Sequence, residues 1–296
     1  LVSVVVKRTN SDPVPFAKSE SMTDQLNNAG HWDSFLERPF NRAPQLGTQP
    51  DYLFINACKK DALEADPTSI ISEEIDAFTI GLDCLKELTK QKVYLSTSSN
   101  IEFEDLDVEQ YVFDGKYPSG NSSLHIQNIQ PMTKNTKTWI INWQDVLRIG
   151  KSIASGNFCN ENYVSLCGPA CNSPKLIKTN LGANMQEIAA GTFDGEVRKV
   201  AGSLLYGRYG DSYSDYLARH SSQISLVADE PKATFFNWLK PGAQDHSSSN
   251  VFLSSIFKPE TFSFDTNING GFRALVPIGV FDEVHTFDID STHYFK

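Results

Sequence analysis

No apolar run in the 296 residues approaches the ~20 that a membrane-spanning helix needs. Positive charge is also scarce. Lys and Arg total 26 against 36 Asp and Glu, a net charge of −10. Such a surface repels phosphate backbones and anionic headgroups, which argues against nucleic-acid partners and against direct membrane insertion or attachment. Cysteine is sparse and odd in number: Cys58, Cys84, Cys159, Cys167 and Cys171. That set does not build a secreted disulfide framework, so a reducing compartment is expected. No C-x-x-C occurs, and Cys159, Cys167 and Cys171 lack a nearby fourth ligand. They read as small thiols of the interior, and no metal is expected.

The usual catalytic signatures are missing as well. There is no G-x-G-x-x-G, no G-x-x-x-x-G-K-[ST], no G-x-S-x-G and no H-E-x-x-H. Without the first two, an α/β domain lacks the common means of holding a pyrophosphate. Gly202 and Gly207 have the wrong spacing and read as turn residues. The six His are scattered. Glu73-Glu74 and the group Glu102, Glu104, Asp105 and Asp107 read as a solvated acidic face before they read as acid–base machinery. No catalytic residue is assigned.

What is present is a globular composition, 40% hydrophobic and 21% charged, long enough for two or three domains. Met22, Leu26 and Ala29 fall on one helical face, with Gly30 as a stop. Asp51–Asn56 reads as a buried strand. A helix is expected from about Ser69, with Ile71, Ile75, Phe78, Leu82 and Leu85 on one face, and the strand Lys92–Ser96 follows. Tyr111–Phe113 and Thr138–Asn142 are further strands, and Trp143–Ser155 is a helix closed by Gly156. Strand–helix–strand order predicts an α/β domain with mainly parallel strands over residues 1–157. A hairpin (Tyr163–Pro169 with Lys175–Thr179), a short helix around Met185 and strands at Glu196–Val200 and Gln223–Val227 predict a small β-grasp-like domain over 158–228. Residues 229–296 are weakly periodic and expected to be of mixed structure. Leu1–Val6 stands alone as a strand or linker end.

Two aromatic groups remain. Trp32, Phe35 and Phe40 flank Arg38, and Phe235, Phe236, Trp238, Phe252, Phe257, Phe262 and Phe264 crowd the C-terminal part. Rings with one Arg suit a quinone or flavin ring; core packing or a subunit interface is the alternative.

Several strings, taken in order, carry a family likeness. They are Ala77-Phe78-Thr79-Ile80-Gly81-Leu82-Asp83, Val112-Phe113-Asp114-Gly115, Ile141-Asn142-Trp143-Gln144-Asp145-Val146, Val164-Ser165-Leu166-Cys167-Gly168-Pro169 and Leu275-Val276-Pro277-Ile278-Gly279. With Gly195–Arg198, Thr266–Gly270 and Arg273, they resemble the NqrA family, one of the component chains of the Na+-translocating NADH:quinone reductases. The resemblance implies a Rossmann-like domain followed by a soluble-ligand-binding β-grasp domain, in a fold related to the flavin-carrying NADH-oxidising subunit of respiratory complex I. It implies a peripheral, cytoplasmic subunit held on the inner membrane by membrane and flavin-bearing partner subunits of the same reductase. In the complex I relative a Gly-rich loop holds the flavin phosphate; the corresponding region here, Gly30–Phe40, has one Gly and bulky rings. The relative's C-terminal iron–sulfur cysteines have no counterpart after Cys171. Flavin, NADH and iron–sulfur clusters are therefore expected on partner subunits and not here. Ubiquinone is the ligand this chain could touch, through Trp32, Arg38 and Phe40, with Arg38 donating to a quinone oxygen. Family members carry further N- and C-terminal segments, so the chain, which starts at Leu1, reads as a middle fragment. The alternative is an independent ligand-binding or electron-transfer protein using the β-grasp module, with Cys167 and Cys171 as contacts.

Overall fold

The computed structural model describes residues 13–99, 108–210, 215–229, 239–246, 250–264, 266 and 274–295. The expected strand Leu1–Val6, the acidic group Glu102–Asp107, the aromatics Phe235, Phe236 and Trp238, and the strings around Asn267–Gly270 and Arg273 lie outside the described residues.

Near-continuous apolar runs form the first sheet, because parallel strands are covered on both faces. Its strands are β1 (Leu36–Glu37), β2 (Tyr52–Ala57), β3 (Lys92–Thr97), β4 (Glu109–Val112) and β5 (Thr138–Asn142), in spatial order β1-β5-β2-β3-β4. β2 to β5 run parallel, with Phe54 between Tyr94 and Ile140. Only the short edge strand β1 is antiparallel, setting Leu36 opposite Ile140. One face carries Leu53, Ile55, Leu95, Trp139 and Ile141 into the main core. The other carries Phe54 and Tyr94 onto Ile126.

Helices α1 (Met22–Asn28), α2 (Pro67–Glu73), α3 (Ile75–Leu88), α4 (Ser122–Ile129) and α5 (Trp143–Ser155) flank this sheet. α5 is fixed at both ends by its sequence. The Asn142 side chain accepts the Gln144 N–H, and Gly156 takes the left-handed conformation that ends the helix. The helix expected from Ser69 is two helices, α2 and α3. Glu74 leaves helical geometry at φ −120° and ψ 35°, and its carboxylate is drawn to Lys151 and Lys178 and accepts the Tyr163 hydroxyl.

α3 and α5 approach so closely that only glycine fits at their crossing. A Cβ on Gly150 would sit 1.8 Å from the Ala77 carbonyl oxygen, and one on Gly81 would sit 2.2 Å from the Val146 carbonyl oxygen. Both obstacles are backbone, which cannot rotate aside.

The second sheet follows α5 at once. Its strands are β6 (Glu161–Cys167), β7 (Lys175–Asn180), β8 (Val197–Ala201), β9 (Arg208–Tyr209) and β10 (Gln223–Ala228), ordered β7-β6-β10-β8-β9. β6 and β7 form the expected hairpin, and β10 lies parallel to β6. Helix α6 (Met185–Ala189) packs Met185 and Ala189 against Val164, Leu166, Ile224 and Leu226. Hairpin, helix and returning strands make the β-grasp arrangement.

By contact density the chain divides into two compact units, Leu1–Glu230 and Pro231–Lys296. Both sheets belong to the first. The second contains the short helices α7 (Ser254–Phe257), α8 (Val280–Val284) and α9 (Ser291–Phe295). His246 meets Phe262 and Phe264 there, while Phe257 is exposed.

Gly150→Ala is expected to cost about 1–3 kcal/mol, the usual penalty of overpacking a dense interior. Denaturant unfolding followed by far-UV circular dichroism measures it. Wild-type stability in this variant would mean that α3 and α5 can separate freely.

Candidate functional site

Arg38 follows edge strand β1, and its backbone N–H donates to the Thr138 carbonyl at 2.9 Å. Its side chain leaves the sheet on the α4 side, where Nη2 donates to Ser123 Oγ. Its Nε is buried and has no partner among the described residues. Burial pushes the guanidinium pKa down from its usual value.

Trp32 and Phe40 do not join Arg38 at one pocket. Trp32 sits on the opposite sheet face, edge-on to the Trp139 ring at 5.6 Å, and its indole N–H donates to the Pro44 carbonyl at 2.8 Å. It is a core residue with its polar atom committed. Phe40 is 75% exposed, with the Arg42 guanidinium 5.5 Å from its ring. Trp32 belongs to the short 3₁₀ turn Trp32–Ser34, which packs into the core beside Trp139, whereas Phe40 lies in the turn after β1.

Arg38 instead lines a cavity of about 280 Å³ with Asn56, Lys60, Tyr117, Gly120, Asn121, Ser122, Ile140 and Tyr206. Its place follows from topology. The chain leaves β2 toward β3 and β4 on one side, while β5 returns on the other. The crevice beyond the carboxyl ends of strands at such a reversal is where open α/β sheets hold ligands. Asn56, at the end of β2, organises the floor. Its Nδ2 donates to the Gly120 carbonyl at 2.9 Å and to Ser122 Oγ at 2.8 Å, while its Oδ1 accepts the Cys58 N–H at 3.0 Å. Gly120 is needed here, since a Cβ would lie 2.1 Å from the Lys59 carbonyl oxygen. Asn121 caps α4 by accepting the Ser123 N–H at 2.9 Å. Tyr117 and Tyr206 stand at the rim with ring centroids 5.9 Å apart. Tyr206 comes from the β8–β9 turn, so both sheets build the cavity. Sequence reasoning does not single out Lys60, Tyr117, Asn121, Ser122 or Tyr206 as site residues. The one local signal that could find any of them is Asn121, a residue type suited to capping a helix.

A second constellation looks catalytic and is closed. His31 Nε2 lies 2.7 Å from Ser152 Oγ, close to Asp145. His31, Ser152 and Asp145 are all fully buried, and Ser152 Oγ already accepts the Cys159 N–H at 2.8 Å. No substrate can reach that hydroxyl. Burial, with help from Arg219 and Arg148, lowers the His31 pKa to about 3 against the opposing pull of Asp145. Three buried thiols are equally unreactive in kind: burial raises Cys58 to about 12 and Cys84 and Cys167 to about 11. Among the described residues no three His, Cys, Asp or Glu side chains converge as metal ligands.

A His held neutral in the fold binds its proton more readily once unfolded. Stability conferred by His31 is therefore present above pH 6.5 and lost as pH falls toward 3, with a limiting slope of about 1.4 kcal/mol per pH unit. His125 and His220, also lowered by burial, act in the same direction. Urea unfolding between pH 7 and about 4 is expected to show this slope, reduced in His31→Gln. An unaltered slope in the variant would assign the effect to other groups.

Comparison with known proteins places these features in a family. The family model described as the NqrA second alpha/beta domain matches residues 17–158, and that of the NQRA C-terminal domain matches residues 163–210. The NqrA chain of the Na(+)-translocating NADH-quinone reductase of Vibrio vulnificus strain YJ016 is 34% identical over 305 residues, covering 99% of this chain and 68% of the relative. Its counterpart in Mannheimia succiniciproducens is 36% identical over 301 residues, with 98% and 68% covered. That of Yersinia pseudotuberculosis is 33% identical over 310 residues, with 100% and 69% covered. Among solved structures, a NAD+-reducing [NiFe]-hydrogenase in the air-oxidized state aligns with a TM-score of 0.43 and 11% identity, over 61% of this chain and 41% of that one. With two successive family domains matched, and one relative 36% identical over 98% of this chain, the chain belongs to the NqrA family of Na+-translocating NADH-quinone reductase subunits.

Proposed function

We propose that this chain serves as a peripheral, cytoplasmic subunit of a sodium-translocating NADH:quinone reductase, that flavin, NADH and iron–sulfur clusters sit on its partners, and that it contacts ubiquinone at the Arg38 cavity. The observation that carries the reading is identity of about a third along 99% of the chain. Attachment to the inner membrane runs through membrane and flavin-bearing subunits. No described helix is long and apolar enough to cross a bilayer. At the cavity, Arg38 offers the N–H groups that a quinone carbonyl oxygen accepts, and the Tyr117 and Tyr206 rings supply a flat apolar rim. Trp32 and Phe40 are not among the residues that line this cavity.

Purification of the full-length protein from detergent-solubilised native membranes is expected to recover the other reductase subunits. Recovery of this chain alone would overturn the accessory role. In the assembled complex, Arg38→Ala is expected to weaken quinone binding about tenfold, the loss of one charge-assisted hydrogen bond. Unchanged quinone affinity would remove the cavity from the quinone path.

A further inference from the structure

The charge around the cavity is not explained by a neutral ligand. The chain carries a net charge of −10, yet two of its scarce cations, Arg38 and Lys60, line one partly enclosed space. Neither is within ion-pair distance of a carboxylate among the described residues, where the ion pairs are made by other cations. Glu64 is engaged, accepting the Lys60 backbone N–H and the Ser222 hydroxyl, while Asp61 stands close enough to the rim for its charge to act on Tyr117 but makes no ion pair with either cation. Arg38 is half-buried and keeps a buried Nε–H with no acceptor. A charged donor left without an acceptor in a desolvated place is costly. Its position is nonetheless fixed, by the Thr138 backbone bond and by Ser123.

The polar atoms around these cations match the need. Ser122 and Asn121 at the cavity stand at the first turn of α4, an eight-residue helix, and Asn56 holds that turn in place. A planar guanidinium fork, an ammonium and amide and hydroxyl donors around one space suit a tetrahedral oxyanion. The rim adds a second element. Tyr117 and Tyr206 are 57% and 59% exposed, and their rings touch across the opening from two different sheets. Large aromatic surface so exposed beside a cationic floor favours a ligand whose body is flat.

We infer that the switch-point cavity binds a small phosphate-bearing ligand, its phosphate on Arg38 and Lys60 and its body against Tyr117 and Tyr206. Such a ligand would compete with quinone for Arg38, and its binding needs no partner subunit. It is tested on the isolated 296-residue chain, whereas quinone contact is tested on the complex, so either can fail alone.

Isothermal titration with inorganic phosphate, phenyl phosphate and phenol separates the contributions. Saturable binding of both phosphates is expected, with none for phenol. Arg38→Ala and Lys60→Met should each weaken phosphate binding about tenfold or more, and Arg38→Lys should restore part of the loss. If the flat body contributes, phenyl phosphate binds tighter than phosphate, and Tyr206→Ala abolishes that difference alone. Equal affinity for the two phosphates would keep the anion site and remove the tyrosines from it. Circular dichroism confirms that each variant is folded; Lys60→Met, at a half-buried surface position, carries the test if Arg38→Ala is not. Absence of saturable phosphate binding at millimolar concentration, or binding untouched by both charge variants, would overturn the inference.

Discussion

One buried carboxylate holds the two sheets of the first unit together. Asp145, fully buried in α5, accepts from Arg148 at 2.6 Å and from Arg219 at 3.3 Å. Arg148 reaches on to the Glu161 carbonyl and to Asn162 Oδ1 in β6. Arg219, in the segment before β10, also pairs with Asp33 at 2.7 Å and donates to Ser34 Oγ at 2.6 Å. Burial alone would raise the Asp145 pKa, but the two arginines outweigh it and hold the carboxyl below its usual range. A buried carboxylate stripped of one such partner typically costs about 3–5 kcal/mol. The arrangement therefore fixes geometry firmly, because no apolar slip of one sheet past the other can keep it satisfied. The cavity depends on that geometry, since Arg38 comes from the first sheet and Tyr206 from the second.

The same seam is reinforced by side chains that imitate backbone. Gln144 donates to the Tyr163 carbonyl at 3.0 Å and accepts the Tyr163 N–H at 2.8 Å, pairing with β6 as a neighbouring strand would. The Ala65 N–H donates to Ser165 Oγ at 2.8 Å, and Ser222 donates to Glu64. Nearer the surface, Glu74 and Glu161 alternate with Lys151 and Lys178 around the Tyr163 hydroxyl. These exposed pairs add little individually. They lie where α2 ends at Glu74, beside the crossing of α3 and α5 that Gly81 and Gly150 permit.

Legible in sequence is whatever a single element encodes. β5 and α5 follow directly from an apolar run ending in Asn142, a cap, and a periodic stretch ending in Gly156. The β6–β7 hairpin follows from two alternating runs around a turn. α4 escapes such a reading because its apolar residues, Leu124, Ile126 and Ile129, make only a weak stripe. The break at Glu74 escapes it because Ile71, Ile75 and Phe78 keep helical spacing across it, while its cause lies in Lys151 and Lys178, far along the chain. Arg38 is legible as a lone cation among rings. Its neighbours are not, since proximity in sequence puts Trp32 and Phe40 beside it, whereas the 3₁₀ turn Trp32–Ser34 seats Trp32 in the core and the turn after β1 leaves Phe40 in solvent. The groups that share its cavity, Lys60, Tyr117 and Tyr206, are brought together by sheet topology.

Several ionisable groups of this chain have been moved by their surroundings away from the range that suits proton transfer. His31, Cys58, Cys84 and Cys167 are each pushed by burial toward the neutral form, and Asp145 is spent on two arginines. A general acid or base works best with its pKa near the ambient pH, and each of these has moved away from it. The described lining of the cavity contains no His, Cys, Asp or Glu at all. What it presents is fixed positive charge, amide and hydroxyl donors and two aromatic rings. Guanidinium, ammonium, amide and hydroxyl groups are hydrogen-bond donors of the kind that orient a ligand. The cavity itself depends on the buried carboxylate, because its two walls, carrying Arg38 and Tyr206, come from the two sheets that Asp145 keeps in register.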